Sequence, residues 1–145
     1  MRRVLERSVT VQASPSSSWN HLIEPAHWPS WAHHIRRVEM TPPGRARLGS
    51  TGRVRLKNGT SARQVVVTME EGRRWRWDGK FLWLDLVYDH VFQATADGGT
   101  RVTFTVDGGG IGEGSLGRLF AAVYARNLDK ALPNLAAELS TNDNS

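Results

Sequence analysis

The sequence of 145 residues contains no cysteine, which excludes a disulfide framework, thiolate metal ligands and a cysteine nucleophile. It also lacks any apolar run near the roughly 20 residues that a membrane-spanning helix needs. Its first eight residues are basic but lack the apolar core of a signal peptide. Because cysteine-free chains suit a reducing compartment, we expect a cytoplasmic protein without a membrane span.

Basic residues outnumber acidic ones by 19 to 14, but the sequence has no arginine-rich block and no basic helix. We therefore expect no nucleic-acid partner.

The histidines lack metal-binding spacing, since the adjacent His33 and His34 would point to opposite faces of a strand. A G-x-G-x-x-G match at 112–117 precedes a helix that no second parallel strand follows, so it does not predict a dinucleotide site. We expect no metal and no cofactor.

The N-terminal third shows a strand followed by two short helices. Residues 3–12 alternate between apolar and polar side chains, as in a half-buried strand. Ser14 is a good helix N-cap, with Pro15 at the first helical position and Pro25 beyond the last. A second short helix or turn then carries Trp28 and Trp31.

The rest of the sequence predicts about six hairpin-linked strands and a long C-terminal helix. The strands are expected near 33–40, 53–57, 63–70, 73–78, 82–94 and 101–106, and Asn58-Gly59 favours a two-residue type I′ turn. An apolar stripe predicts a helix over 115–139, in which Pro133 should cause a kink or a break, followed by a polar tail over 140–145. Strands followed by a helix indicate an α+β fold, with the helix covering a sheet that curls.

Five features, in this order, resemble the START-like or birch-pollen-allergen-like (SRPBCC) superfamily, nearest to its polyketide cyclase/dehydrase and lipid-transport branch. They are Val11-Gln-Ala-Ser-Pro15 with Trp19, Trp28-Pro-Ser-Trp31, Gly52 opening a strand, the segment 98–104 and the C-terminal helix. The resemblance implies one helix-grip domain over 1–145 with its core at about 4–139. A curved antiparallel sheet of about seven strands would wrap around the long helix, with two short helices after the first strand.

The same resemblance implies a deep apolar cavity between sheet and helix. Members bind lipids, polyketides and other apolar molecules there, and some catalyse cyclisation or dehydration. The superfamily has no shared catalytic motif to transfer to this sequence, so the candidate residues come from strand and helix parity. The glycine-rich run 108–114 is expected to form a flexible connection, and the glycines of the segment 112–117 to form a mobile gate beside the cavity.

Tyr88 and His90 are the leading polar candidates, because they share one face of the strand over 82–94 with Leu84 and Leu86. An imidazole beside a phenol can transfer protons or orient a ligand, although a buried histidine is more often satisfied by backbone or water. The full set of expected ligand-binding residues is Trp31, Arg63, Trp75, Trp77, Leu84, Leu86, Tyr88, His90, Phe104, Val123 and Asn127.

For several members of this set, a structural role is equally compatible with the sequence. Trp75 and Trp77 offer flat surface to a ring-shaped ligand but also suit an ordinary core. Arg63 would pair with an acidic ligand or extend to solvent. Asn127 would bond a ligand across the cavity or face water, depending on the helix phase near Pro133.

The sequence therefore predicts binding of a small hydrophobic or aromatic ligand, lipid or polyketide-like, in an internal cavity. The alternative is a polyketide cyclase or dehydratase that uses His90 and Tyr88 for proton transfer. A protein-interaction module, a third alternative, would have a filled core and no cavity. The expected partner is a small hydrophobic molecule, and a homodimer is left open.

Overall fold

The computed structural model describes residues 2–81, 84–109 and 115–143. These residues form two α-helices, α1 (Pro15–Leu22) and α2 (Ser115–Asp143), and a 3₁₀ helix over Pro25–Ser30. They also form seven strands: β1 (Arg2–Val11), β2 (Ile35–Thr41), β3 (Thr51–Leu56), β4 (Ser61–Glu70), β5 (Arg74–Phe81), β6 (Leu84–Ala94) and β7 (Thr100–Gly109).

The seven strands form one antiparallel sheet in the order β1-β7-β6-β5-β4-β3-β2. From β2 to β7 each strand pairs with the next one in the chain, and β1 pairs with β7 at the far edge. The sheet curves around α2, and the two short helices follow β1. The predicted α+β helix-grip architecture is confirmed.

The start of α1 follows directly from its sequence. Ser14 has an extended backbone, and its Oγ accepts a hydrogen bond from the Ser17 backbone N–H at 3.1 Å. Pro15 occupies the first turn, where its missing N–H costs no helical hydrogen bond. The buried Thr100 hydroxyl donates to the Ala13 carbonyl at 2.8 Å, which ties this helix entry to β7.

The turn between β3 and β4 differs from the prediction. The Leu56 N–H donates to the Thr60 carbonyl at 2.9 Å, so the loop contains three residues and the predicted two-residue type I′ turn is wrong. Gly59 has a φ of +93°, the left-handed conformation that ends such a loop. Asn58 Oδ1 accepts from the Thr60 N–H at 3.0 Å, a bond that favours the longer loop.

The C-terminal helix is longer than predicted and continues through Pro133. It has no break at Pro133, and residues 140–143 of the expected polar tail extend it. Pro133 lies on the exposed side of α2, while the neighbouring Leu132 and Leu135 are buried against the rest of the protein. Packing of the buried side keeps the helix continuous although Pro133 cannot donate a helical hydrogen bond. No helix in the described part of the chain is long and apolar enough to cross a membrane.

The hydrophobic core lies on the concave side of the sheet, under α1, the 3₁₀ helix and the C-terminal half of α2. Trp19 packs edge-to-face on Phe92, with ring centroids 5.1 Å apart. Trp28 of the 3₁₀ helix contacts Trp75 and Trp77 of β5, with ring centroids 6.0 and 5.6 Å apart. The N-terminal tryptophans therefore hold the short helices against the sheet.

Candidate functional site

A cavity of about 290 Å³ lies between the concave face of β3–β6 and the N-terminal half of α2. The 3₁₀ helix and the start of β2 close one side of it. Its lining is mostly apolar and consists of Trp28, His34, Ile35, Val54, Leu56, Asn58, Ala62, Gln64, Trp77, Phe81, Leu84, Tyr88, His90, Leu119, Phe120, Val123, Tyr124 and Asn127.

Two glycines provide space for the side chains at the floor of this cavity. Gln64 of β4 is paired with Gly52 on one side and Gly79 on the other. A Cβ atom at Gly52 would lie 2.8 Å from the Trp77 ring, and one at Gly79 would lie 2.7 Å from Cγ of Gln64. The absence of side chains at these two positions therefore lets Trp77 and Gln64 lie close over the sheet.

His90 lies among aromatic rings and is only 5% exposed. Its ring stacks on Trp75 at 4.2 Å and lies 5.6 Å from the rings of Trp28 and Phe104. Nδ1 is 3.1 Å from the Trp75 carbonyl oxygen, which only accepts, so Nδ1 carries the hydrogen and Nε2 is left as an acceptor. Burial lowers the pKa of His90 to about 4, outweighing the backbone bond to Trp75 and the nearby Asp89. At neutral pH His90 is therefore an uncharged acceptor.

Tyr88 and Tyr124 both line the cavity and contact each other, with ring centroids 5.8 Å apart. Burial raises the pKa of both phenols, and the neighbouring Tyr124 further raises the pKa of Tyr88. A side-chain hydrogen bond from Gln64 acts in the opposite direction on the pKa of Tyr88. Both phenols are therefore protonated at neutral pH. Gln64 itself is 4% exposed, and its Oε1 has no hydrogen-bond partner in the described part of the protein.

The cavity opens to solvent beside the first turns of α2. Leu119 and Val123 line the cavity and are nevertheless 59% and 47% exposed. Phe120, on the same part of the helix, contacts Phe81 and Tyr124, with ring centroids 5.5 and 5.7 Å apart. Among the described lining residues there is no Asp, Glu, Lys or Arg. The cavity thus offers apolar surface and neutral hydrogen-bonding groups, without an ionic anchor.

The structure brings together about half of the residues that were predicted to form the site. Trp77, Leu84, Tyr88, His90, Val123 and Asn127 line the cavity. Trp31, Trp75, Leu86 and Phe104 are buried beside it, in the core rather than on its wall. Trp75 therefore contributes as the surface on which His90 stacks.

Arg63 was placed on the wrong face of β4. Its side chain is exposed, whereas Gln64 and Val66 point into the protein. The prediction counted every second residue from Arg63 to Met69, but a bulge between Val66 and Thr68 shifts the alternation. Met69 is partly buried for this reason, and Arg63 cannot meet a ligand inside the cavity.

Sequence reasoning missed several residues of the wall, among them Gln64 and Tyr124. Gln64 could not be recognised as an inward-facing residue, because the predicted alternation of β4 placed it on the outer face. Tyr124 was detectable, because it follows Phe120 by four residues and so lies on the same helical face. Of the segment predicted as a gate, residues 112–114 lie outside the described residues and Gly117 belongs to α2. Of the predicted flexible connection, Gly108 and Gly109 belong to the end of β7.

Comparisons with known proteins agree with this architecture. A family model described as polyketide cyclase / dehydrase and lipid transport matches residues 2–140. No curated protein matches the sequence significantly.

Three solved structures illustrate the likeness. A hypothetical protein from Helicobacter pylori is 14% identical, with 92% of this chain and 85% of that chain covered and a TM-score of 0.79. Major latex-like protein 151 from Panax ginseng is 15% identical, with 92% and 95% covered and a TM-score of 0.73. DynU16, a protein of the dynemicin biosynthetic locus, is 19% identical, with 96% and 48% covered and a TM-score of 0.69. At these identities the likeness shows the fold alone.

Proposed function

The chain belongs to the polyketide cyclase/dehydrase and lipid transport family, and we propose that it binds a small hydrophobic or aromatic molecule, lipid or polyketide-like, in the cavity between sheet and α2. The observation that carries this proposal is a cavity of about 290 Å³ with a mostly apolar lining and no ionic side chain among its described lining residues. Burial of apolar ligand surface would supply the affinity, at roughly 25 cal/mol per Å². Such a volume lies near the lower end of the range of about 300–1,000 Å³ typical of small-molecule sites.

Orientation would come from the polar groups on the wall. His90 offers an acceptor nitrogen, Tyr88 a protonated phenol and the half-buried Asn127 an amide on the opposite side.

The proposal also includes a single domain over 1–145, a cytoplasmic location and no nucleic-acid partner. Carriage, sequestration and sensing of the ligand are all compatible with such a site.

A cyclase or dehydratase is the alternative function. It is favoured by the presence of both Tyr88 and His90 on the cavity wall, two residues apart on one face of β6. A general base works best when its pKa lies near the working pH, and the pKa of His90 at about 4 makes it a weak base at neutral pH. We therefore rank binding first.

The proposal is tested with a neutral fluorescent probe, N-phenyl-1-naphthylamine, titrated into the purified protein. We expect saturable binding at one site, which Ala62→Phe abolishes by filling the cavity. Val65→Phe on the same strand is the matched control, because Val65 is 43% exposed on the opposite face and does not line the cavity. Circular dichroism verifies that both variants are folded. Non-saturable binding, or equal binding by the two variants, would contradict the proposal.

The catalytic alternative has its own experiment. The protein is incubated with an aromatic 1,3,5-triketone, and loss of water is followed by mass spectrometry. Turnover that disappears in His90→Ala, while that variant still binds the probe, would replace binding by catalysis as the function. We expect no turnover above the rate without protein.

A further inference from the structure

Gln64 is the most unusual polar group on the cavity wall. It is 4% exposed, and its carbonyl oxygen Oε1 has no hydrogen-bond partner in the described part of the protein. Buried polar atoms almost always have partners, because loss of hydration without a replacement bond costs free energy. A side chain that served only the core at this position would be apolar, like its neighbour Val66, which is 1% exposed.

The sheet is built to keep the Gln64 side chain in this place. Its neighbours across both adjacent strands are glycines, Gly52 and Gly79. A Cβ atom at Gly79 would lie 2.7 Å from Cγ of Gln64 and 2.2 Å from the Arg63 carbonyl oxygen. Gln64 lies beside Tyr88, whose pKa its side chain lowers by hydrogen bonding, and Oε1 remains without a partner among the described residues. Gln64 lines the cavity, and rotation about its soft terminal torsion can turn Oε1 toward a ligand there.

The rest of the wall limits what that ligand can be. His90 Nε2 is a second acceptor, because Nδ1 donates to the Trp75 carbonyl. The described lining contains no lysine or arginine that would hold an anion, and burial keeps His90 uncharged. A carboxylate would therefore meet acceptors without a cation, whereas a hydroxyl group would supply the hydrogen that Oε1 lacks.

We infer that the ligand is an uncharged aromatic molecule that carries a hydroxyl group, and that this hydroxyl donates a hydrogen bond to Gln64 Oε1. This inference rests on the proposed function and specifies its ligand class. Gln64 is then the residue that distinguishes a hydroxylated ligand from its ether or its carboxylate.

The test compares three ligands on one ring system, 2-naphthol, 2-methoxynaphthalene and 2-naphthoate, by isothermal titration calorimetry. The native protein should bind 2-naphthol about tenfold more tightly than the ether, the effect of one neutral hydrogen bond, and should bind the carboxylate most weakly. Gln64→Leu should lose this preference through weaker binding of the naphthol, with the affinity for the ether unchanged.

One control separates this inference from the function on which it rests. Gln93→Leu, which changes an exposed glutamine of β6, should retain the preference. If N-phenyl-1-naphthylamine binds but the native protein shows no preference for the naphthol, this inference is wrong and the proposed function stands. The inference is also wrong if folded Gln64→Leu keeps the preference. If no ligand binds saturably, both fail.

Discussion

The two halves of α2 contact the rest of the protein in different ways. In the half that covers residues 128–139, Leu128, Leu135 and Leu139 are at most 6% exposed. In the half that covers residues 118–127, Leu119 and Val123 are 59% and 47% exposed although both are large and apolar. We call these the closed half and the open half of α2.

Polar contacts follow the same division. The closed half is joined to β1 by Arg7–Asp129 at 2.9 Å, and to the short helices through Glu138, which bonds His21 at 2.7 Å and Ser30 at 3.0 Å. The open half meets the sheet through aromatic rings, Phe120 on Phe81 and Tyr124 on Tyr88, with the cavity beside them. One helix therefore stabilises the fold at one end and forms part of a candidate binding site at the other.

The largest expected effect comes from truncating the same residue type in both halves. Leu135→Ala should lower the free energy of unfolding by about 2–5 kcal/mol, because it leaves a cavity in a fully packed region. Leu119→Ala should lower it by about 0.5 kcal/mol or less, since the side chain is largely exposed already. Urea denaturation measures both. Equal losses would contradict the distinction between the halves.

Acid should destabilise the packed aromatic cluster around His90. The folded pKa of about 4 lies below the ordinary value of 6.5, so between these values the unfolded chain binds a proton that the folded protein does not. Stability should therefore fall as the pH falls from about 6.5 to about 4, by at most about 3 kcal/mol.

His90→Asn should remove this part of the pH dependence, and urea denaturation of both proteins at pH 7 and pH 4.5 measures it. The result that would oppose this account is a loss of stability on acidification that is the same in the variant as in the native protein.

A substitution at the floor of the cavity should have an intermediate effect on stability. Gly79→Ala should destabilise the protein by about 1–3 kcal/mol, because the new Cβ would lie 2.2 Å from the Arg63 carbonyl oxygen and force the strands to adjust. Lys80→Ala, at the exposed next position of β5, is the control and should change stability by about 0.5 kcal/mol or less. Thermal unfolding compares the two. If Gly79→Ala were neutral, the glycine would not be required for the close approach of β4 and β5.

The smallest effect is expected for an ion pair of the closed half. Asp129→Asn removes the ion pair between Asp129 and Arg7, whose side chains are 55% and 39% exposed, respectively. The free energy of unfolding should fall by at most about 1 kcal/mol. The difference from the native protein should shrink at high salt, as urea denaturation at two salt concentrations would show. A larger, salt-independent loss would mean that charge contacts rather than apolar packing hold this half of the helix.

Strand parity was readable from the sequence where alternation was unbroken. On β6 the even-numbered positions from Leu84 to Phe92 face inward, as predicted, because no bulge interrupts their pairing with β5 and β7. On β4 the valines at 65, 66 and 67 obscure the polar and apolar faces, and the bulge after Val66 reverses the parity. That single irregularity exchanged Arg63 for Gln64 in the predicted site.

Knowing that a side chain points inward was also insufficient to predict whether it lines the cavity or is packed in the hydrophobic core. Trp75, Trp77 and Leu86 all point inward, yet only Trp77 of these lines the cavity. The difference depends on what lies opposite each side chain. Trp75 is covered by His90 and Trp28, whereas Trp77 extends over Gly52 toward open space.

The sequence by itself determined the elements and their order, because caps, turns and alternation act over a few residues. Ser14 with Pro15, the alternating strands and the apolar stripe of α2 were sufficient for the α+β helix-grip fold. Only the tertiary structure decided where space remains inside it. That space depends on glycines and aromatic rings brought together from distant strands, and on the buried Gln64 whose carbonyl oxygen has no partner within the described protein.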